Sequence, residues 1–331
     1  MELLRTSSTA PNMHCKLFAP HQSAYSKTKL PYNLRPHLQL NWQLTRPHSG
    51  RVQASYQPAN PDASEEFRYL QPQSPICLHS TCSTYNRNIR VIQMPEVGVP
   101  PEVAGRRVLL LDHSGNIHSI HSEGRPFTTA YWDQLAAVEA LVPEGPIAVI
   151  GLGAGTVVHL IRSFSPEREF HGWELDPEVV SAARRFFGLG ALEEGGSLAI
   201  HTGDVFEEDI RIGGGFAAIV VDIFADASLH DKLLQADTWR WIGGALAPGG
   251  RVIANLGLAA IDGLEDHPSV VKAQAALGAM REAFAGHVCF KHWISDNSGS
   301  TIAMSGTLPE PSEFGALPDE LGRCRGGWWS V

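Results

Sequence analysis

The stretch from Pro146 to Pro177, PIAVIGLGAGTVVHLIRSFSPEREFHGWELDP, constrains the fold more than any other part of the chain. Ile147–Ile150 is a short apolar run suited to a strand buried on both faces. Gly151, Gly153 and Gly155 follow at alternate positions, and Thr156–Ile161 reads as the start of a helix. A second apolar run, Phe170–Leu175, ends around Glu174, just ahead of Asp176. Together these make a βαβ unit with glycines at its first turn and an acid at the tip of its second strand. Such glycines let the backbone approach a ligand in front of a helix N-terminus. An acid about 20 residues on commonly accepts hydrogen bonds from ribose hydroxyls. The implied ligand is a nucleoside.

Dinucleotide sites usually place a third glycine or alanine one residue beyond Gly155, where this chain has Thr156. The alternate spacing fits a sulfonium nucleoside of the S-adenosylmethionine type better. The competing reading is that the glycines serve only tight packing of strand against helix.

The rest of the chain repeats the alternation. Asp176-Pro177-Glu178 is a helix start, with a cap, a first-position proline and a first-turn acid. Val179, Val180, Ala183 and Phe187 supply its buried face. Strands are expected at Leu198–Ile200, Phe216–Val221 and Arg251–Leu256, and helices near Leu233–Leu246 and Val270–Phe284. The turn Pro248-Gly249-Gly250 is read as the stop of the first of these helices. His287–Ile294 and Thr301–Ser305 are expected to pair as an antiparallel edge around Asp296-Asn297-Ser298-Gly299. Alternation of this kind predicts an α/β, doubly wound Rossmann-like sheet over residues 126–305. Ligands in such sheets lie at the carboxyl ends of the strands, where Glu174, Asp204 and Asp222 fall.

Ahead of that domain, Ile89–Gln93, Arg107–Leu111 and Ile117–His121 read as a small β layer within residues 62–125, preceded by a polar connector over 62–86. His113, His118 and His121 gather there, but strand alternation sends His118 and His121 to opposite faces, and no metal site is expected. Thr129 is read as the N-cap of the next helix, with Asp133 in its first turn and a stripe of Leu135, Val138 and Val142. The tail, 306–331, ends in Trp328-Trp329-Ser330-Val331. These tryptophans are expected to pack on their own domain, with a homodimer contact as the alternative.

Charge is unevenly spread. Before Asp62 there are seven Lys and Arg and a single acid, Glu2, whereas the remainder carries 34 acids against 19 bases. An acidic body is a poor partner for nucleic acid and attracts small cations, amines included. No run approaches the roughly 18 apolar residues of a membrane helix. The acid-poor, proline-broken segment 1–61 has the composition of an organelle transit peptide, with Arg51–Ser55 resembling a plastid processing site; a mitochondrial address and a disordered tail are the alternatives. The five cysteines are scattered and odd in number, as expected of ordinary thiols.

The order of glycine triplet, Glu174, Gly203-Asp204, Val221-Asp222 and Leu246-Ala247-Pro248-Gly249-Gly250 resembles the class I S-adenosylmethionine-dependent transferases. Upstream, Ser83-Thr84-Tyr85-Asn86, Ile89-Arg90-Val91, Leu109-Leu110-Leu111-Asp112, Ile117-His118, Phe127 and Tyr131-Trp132-Asp133 are similar to the N-terminal part of spermidine synthases. The resemblance covers roughly residues 83–305. It implies that Glu174 holds the ribose, that Asp204 lies near the adenine amino group, and that Asp222 and Tyr131 stand at the reacting centre. Gly151, Gly153, Gly155, Val205 and His118 complete the expected donor-binding set. The donor would be S-adenosylmethionine or its decarboxylated form, and the acceptor a small amine or other nucleophile.

Two positions depart from that family: Ala154 stands in place of an aspartate in the glycine loop, and Trp132 in place of a glutamine after the tyrosine. The missing aspartate removes a repulsive element against the carboxylate of S-adenosylmethionine. Weak discrimination between the donors is therefore expected. Aminopropyl transfer, methyl transfer and non-catalytic nucleoside binding all remain open at this point.

Overall fold

The computed structural model describes residues 42–45, 53–56 and 74–331, apart from 114, 226–227, 260–263 and 296–297. Most of the segment expected to be a transit peptide lies outside the described residues, as does the first half of the 296–299 turn. Within that segment, β1 (Trp42–Thr45) and β2 (Gln53–Tyr56) pair antiparallel, with Leu44 opposite Ala54. The expected processing motif thus overlaps a strand.

The small β layer is a four-stranded antiparallel sheet in sequence order: β3 (Ile76–Thr81), β4 (Ile89–Gln93), β5 (Arg107–Leu110) and β6 (Ser119–His121). β3 falls in the expected polar connector and corrects it. Ile76 and Leu78 are exposed on this edge strand, so no apolar face marked it in the sequence.

Helix α1 (Tyr131–Ala136) continues as a 3-10 turn, Ala137–Leu141. The capping expectation at Thr129 fails. Ala130 holds the N-cap position without a side-chain bond, and Thr129 has φ +58°. Asp133 instead reaches back from the first turn to accept from Thr128 N (2.8 Å), Thr128 Oγ1 (2.7 Å) and Thr129 N (2.8 Å). Three donors to one buried carboxylate replace the missing cap.

The large domain alternates as expected: β7 (Ile147–Ile150), α2 (Thr156–Arg162), β8 (Phe170–Glu174), α3 (Pro177–Phe186), α4 (Leu189–Glu194), β9 (Leu198–Thr202) and β10 (Phe216–Val221). A two-residue ribbon, β11 (Phe224–Ala225) with β12 (Ser228–Leu229), follows. Next come α5 (Ala236–Gly243), β13 (Leu246–Leu258), α6 (Pro268–Ala283), β14 (Val288–Ser295), β15 (Ser298–Ser305) and β16 (Trp329–Ser330). Every residue of β7 and β10 is buried, which is why both read as unbroken apolar runs. Pro248-Gly249-Gly250 lies inside β13 and does not stop a helix; α5 has already ended at Gly243. A Cβ on Gly250 would meet Phe216 O at 2.7 Å, so only glycine passes β10 this closely.

The eight strands are ordered β16-β14-β15-β13-β10-β7-β8-β9. β9, β8, β7, β10 and β13 run parallel, and β15 is antiparallel between β13 and β14. Strand order reverses at β7, so β7 and β10 open a crevice at their carboxyl ends. One apolar cluster fills the space between this sheet, the small sheet, α1, α2 and α3; a second lies on the other face, under α5 and α6. The tail closes against α1: Cys324 Sγ lies 3.5 Å from Asp133 O. Trp328 is buried with its indole donating to Cys324 O (3.1 Å), whereas Trp329 is 57% exposed. Among the described residues no helix is long and apolar enough to cross a membrane.

Candidate active site

The carboxyl ends of the parallel strands are drawn level by backbone bonds between them. Gly151 N and Leu152 N both donate to Trp173 O (3.0 and 2.8 Å), Asp222 N donates to Ile150 O (2.9 Å), and Gly203 N donates to Glu174 O (3.0 Å). Gly151, Glu174, Gly203 and Asp222 therefore share one edge.

The three loop glycines all have positive φ: +87°, +54° and +79° at Gly151, Gly153 and Gly155. Their missing Cβ atoms would collide with protein. At Gly151 the collision is with Asp222 O (2.3 Å), at Gly153 with Ser119 Oγ (2.7 Å) and at Gly155 with Leu189 Cδ2 (2.6 Å). The packing reading of these glycines therefore holds at each position. Gly151 lets Asp222 sit against the loop, and Gly153 lets the small sheet do so. Thr156 likewise has a local reason: its hydroxyl accepts from Ile120 N (2.9 Å) and donates to Ile120 O (3.1 Å), fastening β6 to the head of α2.

Glu174 is half-buried. It accepts from Gly153 N (2.9 Å) through Oε2 and from Asp176 N (3.1 Å) through Oε1. Burial raises its carboxyl above the usual range against the pull of those donors. Next to it Asp176 is fully buried, accepting from Ser83 Oγ (2.5 Å), Asn86 Nδ2 (2.7 Å) and Glu178 N (2.9 Å). The Ser83–Asn86 segment is thus tied to the strand end that carries Glu174. Sequence reading identified Asp176 only as a helix cap.

Tyr131 and Asp222 come together as expected. The phenol donates to Asp222 Oδ2 (3.0 Å). Asn255, from β13, donates its amide to Asp222 Oδ1 (3.0 Å) while its own Oδ1 accepts from Gly257 N (3.0 Å). Desolvation pushes the Asp222 carboxyl up to about 6, even with hydrogen bonds from Asn255, Tyr131 and Trp132 opposing it. Desolvation and the neighbouring Asp222 raise the Tyr131 phenol well above its ordinary value. Trp132 is buried, and its ring is not laid open for a cation. Asn255 went unnoticed in the sequence; its signal was a lone polar residue in the apolar run Val252–Leu258.

The remaining expected residues are spread around this centre. Asp204 follows β9 and accepts from Phe206 N (3.0 Å), forming the turn, and Val205 packs into the core cluster under α5. His118 is half-buried, its Nδ1 3.0 Å from Asn116 O and its Nε2 3.8 Å from Asp112; desolvation lowers its pKa and favours the neutral ring. His121 lies against His159 with ring centroids 4.0 Å apart and the planes tilted by 36°. Ala154 is 1% exposed, with its N–H donating to Ser119 Oγ (2.8 Å). An aspartate there would enter the core. Among the described residues no group of three or more His, Cys, Asp or Glu is placed to hold a metal ion.

No protein-family model matches the chain. Over 157 residues, 47% of this chain and 34% of the relative, it is 21% identical to the probable polyamine aminopropyl transferase of Bifidobacterium longum. Over 109 residues, 33% of this chain and 41% of the relative, it is 31% identical to the polyamine aminopropyltransferase of Chromobacterium violaceum. The matched part thus spans about a third to two fifths of these curated relatives. A crystal structure of spermidine synthase in complex with the transition-state analogue AdoDATO superposes with a TM-score of 0.52 at 15% identity, covering 72% of this chain and 75% of that one. Strand order and the structural likeness define a Rossmann-like fold of the methyltransferase kind. The chain is similar in sequence to polyamine aminopropyltransferases and in fold to a spermidine synthase, and it carries the small antiparallel sheet ahead of the doubly wound one.

Proposed function

We propose that the chain is a transferase of the spermidine synthase type, moving the aminopropyl group of decarboxylated S-adenosylmethionine to a small amine. The observation that carries this reading is Asp222, held by Tyr131 and Asn255 at the strand-order reversal, against the glycine loop. Its hydrogen-bond partners among the described residues are neutral, so an incoming ammonium would meet a carboxylate whose charge those partners do not balance. A carboxyl raised to about 6 is a better proton acceptor than an ordinary one and is still mostly ionised at pH 7. The amine nitrogen, its proton passed to Asp222, would form a bond to the carbon attached to sulfur. The carbon–sulfur bond breaks, its electron pair returns to sulfur, and methylthioadenosine leaves neutral. Alignment of nitrogen, carbon and sulfur supplies most of the rate. The curated relatives are named for aminopropyl transfer, and the spermidine synthase neighbour holds an adenosyl transition-state analogue.

Methyl transfer from S-adenosylmethionine is the second reading: Ala154, buried against Ser119, leaves the glycine loop without a donor-selecting acid. Calorimetry with each donor, followed by mass analysis of the products with a panel of diamines, tests both. Methylthioadenosine as product supports aminopropyl transfer. S-adenosylhomocysteine as product replaces it with methyl transfer, and binding of neither donor removes both.

We also propose that the acid-poor segment before Asp62 addresses the protein to a plastid. Its composition supports this. A fusion of residues 1–60 to a fluorescent protein that stays diffuse in the cytosol of plant cells would end the idea.

A further inference from the structure

Asp222 is reached by side chains from two elements: Tyr131 and Trp132 from α1, and Asn255 from β13. Tyr131 and Trp132 are neighbours at the head of α1, whereas Asn255 comes from a strand and is fixed by backbone on its far side. It is fully buried, in a strand whose neighbours Val252, Ile253, Ala254 and Leu256 are all buried and apolar. A buried amide in such a place is costly unless each end is satisfied. Here both ends are. Gly257, at φ +90°, turns its N–H back to Asn255 Oδ1, and β13 shifts register against β15 between Asn255 and Leu258. Because Oδ1 must face that N–H, the amide cannot flip. Its NH2 therefore faces the site, donating to Asp222 Oδ1 and reaching the Tyr131 phenol beside it.

We propose that Asn255 is a positioning residue for group transfer: locked by Gly257, it fixes the plane of the Asp222 carboxylate and favours its charged form. Tyr131 does the same for the other oxygen, so the carboxylate is gripped at both ends and can turn toward neither wall of the crevice. The proposal rests on the transferase reading for its consequence in catalysis, but the grip itself is a property of the unliganded protein. Among the described residues, the titratable group in hydrogen-bond contact with Asp222 is the Tyr131 phenol.

Asn255→Asp separates the two. One new oxygen keeps the Gly257 N–H, and the other confronts Asp222, so a donor becomes a second acceptor of like charge. The two carboxyls would then share a proton and titrate as a pair. Carbon-13 NMR of carboxyl-labelled aspartate, with the Asp222 signal assigned by Asp222→Asn, reads this without substrate. The wild-type signal should titrate near 6. In Asn255→Asp the pair's upper step should move up by at least about one pH unit, a tenfold tighter proton. The acidic limb of kcat/KM should move with it, while affinity for methylthioadenosine stays at the wild-type value. Asn255→Ala, which removes the donor without adding a charge, should move Asp222 in the same direction by less, and it serves as the measurement if Asn255→Asp does not fold. An Asp222 titration that superimposes on the wild type in whichever variant folds overturns the positioning role. Failure of the wild type to bind methylthioadenosine would sink the transferase reading instead, and leave the titration to decide Asn255 on its own.

Discussion

At the scale of single residues, a raised carboxyl works for chemistry and against stability. The folded protein holds the Asp222 proton more tightly than the unfolded chain does, with a carboxyl near 6 against the ordinary 3.8. Its effect is neutral below the unfolded value, and stability is lost as pH climbs from there through about 6. Asp222→Asn should therefore stabilise the protein at pH 8 by about 1–2 kcal/mol, discounted for the solvent that still reaches a partly buried group, and leave it nearly unchanged at pH 4. Thermal melts at the two pH values measure this, and equal shifts at both would show that the charge is not the cause. The same substitution should remove transfer and spare methylthioadenosine binding. Glu174→Gln should do the reverse, weakening methylthioadenosine by on the order of 1–3 kcal/mol in calorimetry, because a charge-assisted bond becomes a neutral one. Unchanged affinity would take Glu174 out of the ribose site. The residues that sequence reading found are acids at strand ends, where position alone announces them. Asn255 and the Asp176 cluster were hidden because their meaning depends on partners 33 and 90 or more positions away in the chain.

At the scale of elements, strands buried on both faces were legible almost to the residue, β7 and β10 above all, because nothing but an apolar run can occupy such a place. The short helix α1 was legible as a helix but not in its start, since the cap comes from Asp133 inside the first turn. The tail was legible only as something that packs. What holds it is Lys291 of β14, buried, its ammonium donating to Gly326 O at 2.6 Å with Arg323 O and Cys324 O at 3.4 Å. A cation set against carbonyls at the end of a helical turn satisfies acceptors that would otherwise lie buried and bare. Lys291→Met keeps the stem and leaves those acceptors unpaired, at a cost of about 1–3 kcal/mol. Because the tail lies on α1, release should also redden the emission of Trp328 and lower kcat through Tyr131. A variant with wild-type melting and emission would show that the tail holds without the lysine.

At the scale of the whole molecule, the class of sheet was legible from the alternation of elements, whereas the seating of the small sheet was not, since no periodicity encodes a contact between domains. That seating runs through Asp176, whose side chain takes Ser83 and Asn86 while its N–H goes to Glu174. A ligand that occupies Glu174 therefore tightens a backbone that the small sheet also grips. Binding and the ordering of the 82–88 loop are then two readings of one equilibrium, and each must favour the other by the same factor. A protease should cut that loop more slowly when methylthioadenosine is present, and Asn86→Ala should weaken both the protection and the affinity together. If the ligand slows cleavage as much in Asn86→Ala as in the wild type, the link does not pass through Asp176. If it holds, a loop whose Asn86 stands 90 positions before Asp176 becomes a gauge of whether the nucleoside has arrived.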